Sequence, residues 1–155
     1  MRPVLSIFAF GALLAISAVV GAADAPGVEI GAWKLNTAKS TGNVPKSETR
    51  TYAASADGIV LDYHRVGADG KESSVHATVK YDGKDYPATG SPDFDALSVK
   101  RVGVNTVEGT QKRMGKVVGT STRTVSKDGK TLTLISRRAN DKGEMTTTTL
   151  VYDRQ

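Results

Sequence analysis

The most constraining stretch of this chain is residues 117–152. It reads V-V-G-T-S-T-R-T-V-S, then K-D-G-K, T-L-T-L-I-S-R-R, A-N-D-K-G-E and M-T-T-T-T-L-V-Y. Three runs rich in Val, Ile, Leu and Thr are thus separated by Asp-Gly and Asn-Asp-Lys-Gly. β-Branched side chains suit a pleated, half-buried surface, and glycine after aspartate supplies the positive φ that a tight hairpin needs. The stretch predicts a β-meander. Upstream, runs of the same kind alternate with turn signals about every ten to fourteen residues, which predicts an all-β antiparallel sandwich or barrel of about eight to ten strands.

The upstream strands are expected at 28–35, 47–55, 59–66, 72–81, 84–89, 96–102 and 106–113. Asp57-Gly58, Asp69-Gly70 and Asp82-Gly83 mark turns between them. Residues 36–45, with Gly42 and Pro45, read as a loop too short for a helical hairpin. No stretch shows sustained helical periodicity.

The N-terminus has a different character. Arg2 precedes an uncharged apolar run over 4–20, followed by Gly21, Ala22 and Ala23. A basic start, an apolar centre and a small-residue exit are the pattern of a secretory signal peptide, although the run is also close to the length of a membrane span. The exit lacks flanking basic anchors, so the expectation is cleavage after Ala22, with Ala23 as the near alternative. Residues 1–22 would be the signal and 23–155 one domain, periplasmic or secreted, with no membrane anchor left after cleavage. The chain has no cysteine, which excludes disulfides, thiol catalysis and a lipidated N-terminal cysteine. The net charge of +5 is spread along the chain and reads as solubility with some attraction to anionic surfaces.

Period-2 alternation assigns faces. Leu61, Tyr63, Val75, Val79 and Tyr81 fall inside, with Arg65 on the same face as Leu61 and Tyr63. Leu97, Val99 and Arg101 share a face, as do Leu132 and Leu134. The inward set is thin: Phe94 is the one phenylalanine beyond residue 22, and Thr supplies much of the late strands. Such a set fits a barrel with a partly polar interior and a cavity, or a small flattened barrel filled by Val, Thr and Leu. Arg65 and Arg101 sit on apolar faces. A buried arginine needs a partner, and a ligand carboxylate is one; the alternative is that both reach water at strand ends.

The two histidines lie on one predicted hairpin and on its solvent face. A turn centred on Asp69 sets Asp62 opposite His76, and a one-residue shift sets His64 opposite His76. Either pair supplies two ligands where a structural metal wants four, so no metal site and no cofactor is expected. No histidine is placed to serve as a base for a serine or threonine, and no glycine-rich loop leads into a helix, so no catalytic residue is assigned. Export, and the lack of a basic patch with interleaved aromatics, exclude nucleic acid as a partner.

Gly31-Ala32-Trp33 resembles the G-x-W of the calycins, the lipocalins and fatty-acid-binding proteins, near the start of their first strand. The phrases G-A-W-K-L-N, Y-D-G-K-D-Y-P and S-K-D-G-K-T are similar to those of small exported bacterial lipocalin-like domains, a likeness that covers most of residues 23–155. The resemblance implies an up-and-down meander closed into a lipocalin-like β-barrel. It also implies that Arg154 packs across Trp33. The lipocalin T-D-Y signature is absent, and Leu150 stands where the fatty-acid-binding proteins carry the arginine of R-x-Y, so the ligand does not transfer. A meander that leaves no edge must return its last strand beside its first, with Trp33 closing one end and any ligand entering at the other. The expectation is a monomeric, non-enzymatic protein holding a small apolar or amphipathic molecule, with Tyr63, Arg65, Tyr81, Val99 and Arg101 lining its site. The alternative is a filled barrel serving as a structural or interaction module of the cell envelope.

Overall fold

The computed structural model describes residues 27–155; the expected signal segment lies outside them. Ten antiparallel strands form one sheet: β1 (Gly31–Leu35), β2 (Ser47–Ser55), β3 (Gly58–Val66), β4 (Glu72–Val79), β5 (Asp82–Thr89), β6 (Ala96–Arg101), β7 (Thr106–Arg113), β8 (Lys116–Val125), β9 (Thr131–Ala139) and β10 (Met145–Arg154). Each strand pairs with its neighbours in sequence, and β10 returns to pair with β1, so the sheet is a closed up-and-down barrel. Closure removes the edges that an open sheet of this length would expose.

Trp33 pairs with Arg154 on one side and with Arg50 on the other. The β3–β4 hairpin sets Asp62 opposite His76, the first of the two alternatives that the turn allows. The segment between β1 and β2 is a loop with a single 3-10 turn, Thr37–Lys39. Among the described residues there is no α-helix, and no helix is long and apolar enough to cross a membrane.

Boundaries differ from expectation where a side chain has other commitments. The first strand starts at Gly31 instead of 28, because residues 27–30 form a turn closed by the Ile30 N–H on the Gly27 carbonyl, 3.1 Å. That turn carries Glu29 into the barrel, where it is 2% exposed. β4 stops at Val79, and β5 meets it through only two registered pairs, His76 with Thr89 and Ala77 with Ala88. The next residue of β5 towards the turn is Pro87, which has no N–H to extend the ladder, and β5 is irregular between Asp82 and Asp85 on its other side.

The inward face follows the alternation. Leu61, Val75, Val79, Tyr81, Leu97, Val99, Leu132 and Leu134 are buried, and Tyr63 is half-buried against them. Trp33, Tyr152, Leu132 and Val125 are essentially inaccessible. Trp33 lies towards one end of the barrel, and the turns of the opposite end are at residues 36–46, 67–71, 90–95, 114–115 and 140–144.

Trp33 is buried flat beneath Arg154, whose guanidinium carbon lies 4.2 Å from the ring centre. Gly31 makes room for this contact. Its φ is +133°, and a Cβ there would come within 2.6 Å of the Arg154 Nη1. The G-x-W spacing thus has a local cause: the glycine clears the path of the arginine that covers the tryptophan.

Candidate functional site

The interior is more polar than the apolar alternation suggests. On β2 the inward positions are Glu48, Arg50 and Tyr52, and all three are buried. The β2–β3 register places Glu48 opposite Arg65, Arg50 opposite Tyr63 and Tyr52 opposite Leu61. Cross-strand neighbours on one face are close enough for direct contact, so two adjacent strands build an ion-pair cluster. Glu48 accepts from Arg50 Nε at 2.8 Å, from Arg65 Nε at 2.5 Å and from the Tyr152 hydroxyl at 2.8 Å. The Arg50 guanidinium packs near the rings of Tyr152 and Tyr63, at 4.6 and 5.3 Å from their centres.

A second cluster lies nearer the Trp33 end. Glu29 accepts from the Tyr81 hydroxyl and from Arg123 Nη2, the latter at 3.1 Å. Arg101 stacks on the Tyr81 ring at 4.2 Å. The two clusters meet at the Tyr52 hydroxyl, which accepts from Arg50 Nη1 at 2.8 Å and Arg123 Nη1 at 3.1 Å. Carboxylates, guanidiniums and phenols thereby form one continuous network through the barrel, the arrangement in which buried charge is tolerated.

The electrostatics follow from these contacts. Burial pushes the Glu48 carboxyl up, but Arg50 and Arg65 outweigh it and hold it below the usual carboxylate range. Glu29 is held down the same way, burial being outweighed by Arg123 and the Tyr81 hydroxyl. Burial drives the Tyr152 and Tyr81 phenols well above their ordinary value, reinforced by the glutamates they serve. Around neutral pH both glutamates are charged and both phenols are protonated.

Beside this network the barrel encloses a cavity of about 200 Å³. Its lining mixes polar side chains, Arg50, Tyr63, Arg65 and Arg123, with apolar ones, Leu61, Phe94, Leu97, Val99, Leu134 and Leu150; Leu61 lies beside Tyr63 on β3, and Leu134 pairs with Arg123. Asn43, Asp93, Arg138 and Thr146 frame it on the side away from Trp33, where Arg138 pairs with Asp93 at 2.7 Å and donates to Gln111 at 2.6 Å. Of the five residues expected to line a ligand site, Tyr63, Arg65 and Val99 line this cavity. Tyr81 and Arg101 are not among its lining residues and belong to the Glu29 cluster instead.

The sequence reading missed Glu48, Arg50, Tyr52 and Arg123. A signal for three of them was present: continuing the face assignment onto 47–55 puts E-x-R-x-Y on the side that pairs with Leu61 and Tyr63. Arg123 shares its face with the buried Val125. Glu29 could not be found by alternation, because it enters from a turn.

The histidines stay on the outer surface. His76 Nδ1 is 2.7 Å from Asp62 Oδ1, and His64 Nε2 is 3.6 Å from Glu72. Among the described residues no three potential ligands are grouped to hold a metal ion.

No family model matches the chain, and no curated protein matches it. Among solved structures it is similar to zebrafish ileal bile acid-binding protein complexed with cholic acid, with a TM-score of 0.51 and 13% identity. The match covers 83% of this chain and 100% of that one. At that identity the likeness is one of fold: the chain has the calycin-type barrel that G-x-W and the closing strand imply.

Proposed function

We propose that this chain is an exported, non-enzymatic binding protein that holds a small amphipathic molecule inside its barrel. The observation that carries the reading is the cavity itself, lined by arginines and tyrosines together with leucines, Val99 and Phe94. A few placed polar groups facing apolar side chains is the usual make-up of a small-molecule site. The zebrafish protein of like fold is named for binding bile acid, which is consistent with this use of the interior.

A binding role suits the chemistry better than catalysis. Both interior glutamates are held charged and the phenols protonated, so these groups do not exchange protons near neutral pH. Export rests on the uncharged run over 4–20 and its small-residue exit. A filled barrel acting only as an envelope module is disfavoured by the open space beside Arg50 and Arg123.

Native mass spectrometry of protein purified from its own host, together with titration of an environment-sensitive lipid probe, tests the reading. A retained small molecule or a saturable probe signal that it displaces is expected. Neither being found would overturn the proposal.

A further inference from the structure

The wall of the cavity carries more positive charge than the described residues neutralise. Its charged lining residues are Arg50, Arg65, Arg123, Arg138 and Asp93. Arg138 is matched by Asp93, and Arg123 by Glu29. Arg50 and Arg65 share a single carboxylate, Glu48. Four guanidiniums thus face three carboxylates; of the two that share Glu48, Arg50 is buried and Arg65 is 32% exposed to solvent. An uncompensated charge in a low-dielectric interior is costly, so an entering group of opposite sign is stabilised there.

A second, independent feature points to the same cavity. Arg123 is 8% exposed, and its Nε is buried with no hydrogen-bond partner among the described residues. Each terminal nitrogen spends one N–H on Tyr52 or Glu29, and the Nε N–H is a buried donor that no group among the described residues satisfies. Buried donors are nearly always satisfied, and a charged donor forms the stronger class of bond.

Size narrows the class further. An apolar cavity of about 150 Å³ accommodates benzene. By that measure about 200 Å³ holds a body of roughly eight non-hydrogen atoms, about the size of a substituted benzene ring. The geometry points to a compact monoanion as the ligand: an acidic group among Arg123 and Arg50, and a ring or short branched chain against Leu97 and Val99. This deepens the binding role proposed above and rests on it.

Calorimetric titration of the full chain at low chloride with benzoate, benzamide, benzylamine and pyrene-1-carboxylate tests the assignment. Benzoate is expected to bind saturably, with benzamide and pyrene-1-carboxylate at least about tenfold weaker and benzylamine not detected; a charge-assisted hydrogen bond is of that order. Arg123→Lys keeps the charge and removes the Nε donor, so it should weaken benzoate about tenfold and leave benzamide unchanged. If that variant does not fold, the ligand series on the native chain decides alone. Benzamide binding as tightly as benzoate overturns the monoanion and leaves the binding role standing. Pyrene-1-carboxylate binding as well as benzoate overturns the size limit. No compound binding at millimolar concentration overturns the inference, and failure of the lipid probe and of host-ligand retrieval as well would remove the binding role with it.

Discussion

Arg154 covers Trp33 and at the same time ties down the turn that precedes it. Its guanidinium lies 4.2 Å from the indole ring, its Nη1 donates to the Ile30 carbonyl at 2.7 Å, and its Nη2 donates to the Val28 carbonyl at 2.8 Å. Nε reaches the Gly129 carbonyl in the β8–β9 turn, and the indole N–H donates to the Glu29 carbonyl at 2.7 Å. One side chain near the end of the chain therefore fixes the entry of Glu29 into the barrel. The structural end and the polar network are mechanically the same feature.

This fixes an expectation for two variants. Trp33→Ala removes a ring with no exposure and should cost about 3–5 kcal/mol, as for other large-to-small core changes. Arg154→Ala has less to lose in packing, but its charged hydrogen bonds to three carbonyls put its cost at about 1.5–3 kcal/mol. Denaturant unfolding followed by the fluorescence of the lone tryptophan measures both, and a native spectrum typical of water-exposed indole would contradict the placement.

The interior carboxylates set an acid limit. Glu48 and Glu29 are held below their ordinary value of 4.5, so in the folded protein they bind protons less readily than in the unfolded chain. Their contribution to stability is complete above about pH 4.5 and is lost as the pH falls through the depressed values. Tyr152 and Tyr81 act in the opposite sense. Their folded values lie above the ordinary 10.0, so their contribution is complete below pH 10 and is lost as the pH rises beyond it. Melting temperature against pH should form a plateau between these limits, and Glu48→Gln should soften the acid edge.

Glu48 is the member whose loss should be felt most. It is 1% exposed and accepts from Arg50, Arg65 and Tyr152 together. Glu48→Ala leaves two guanidiniums on an apolar face without their carboxylate and should cost about 3–5 kcal/mol, the usual penalty for breaking a buried pair. The combined change Glu48→Leu, Arg50→Met should recover much of that loss, since paired apolar replacement removes the stranded charge. Chemical denaturation of the single and double variants checks the non-additivity.

The strands were legible in β-branched runs and Asp-Gly turns, the closing pair followed from the need to leave no edge, and the Trp33–Arg154 contact was implied by the resemblance that G-x-W carries. The interior network was only half legible. Arg65 and Arg101 stood out as charges on apolar faces, but Arg65 acquires its partner from β2, a strand whose own face was not read. Tyr81 and Arg101 could not be separated from the cavity by alternation, which says which face a residue is on and nothing about its height along the barrel. The height is set by register, and register came from the turn at Asp69 and from pairs such as Glu48 with Arg65. Glu29 was beyond any periodic reading, since a turn held by Arg154 delivers it.

The route into the cavity gives the last prediction. Trp33 and its packed neighbours close one end, and the polar frame of Asn43, Asp93, Arg138 and Thr146 stands at the other. There Asp93 from the β5–β6 turn pairs with Arg138 on β9 at 2.7 Å, across strands that are not neighbours in the sheet. Both side chains retain solvent contact, so the pair itself should contribute no more than about 1 kcal/mol. It lies at the end of the cavity away from Trp33, so a molecule entering there is expected to disturb it. Asp93→Ser should therefore leave the melting temperature within a few degrees and, for an uncharged probe, raise the association rate several-fold, with a matching rise in dissociation and little change in affinity. Stopped-flow binding measures both rates. Unchanged kinetics in this variant, with faster exchange instead when the Trp33 end is loosened by Arg154→Ala, would place the entrance at the wrong end of the barrel.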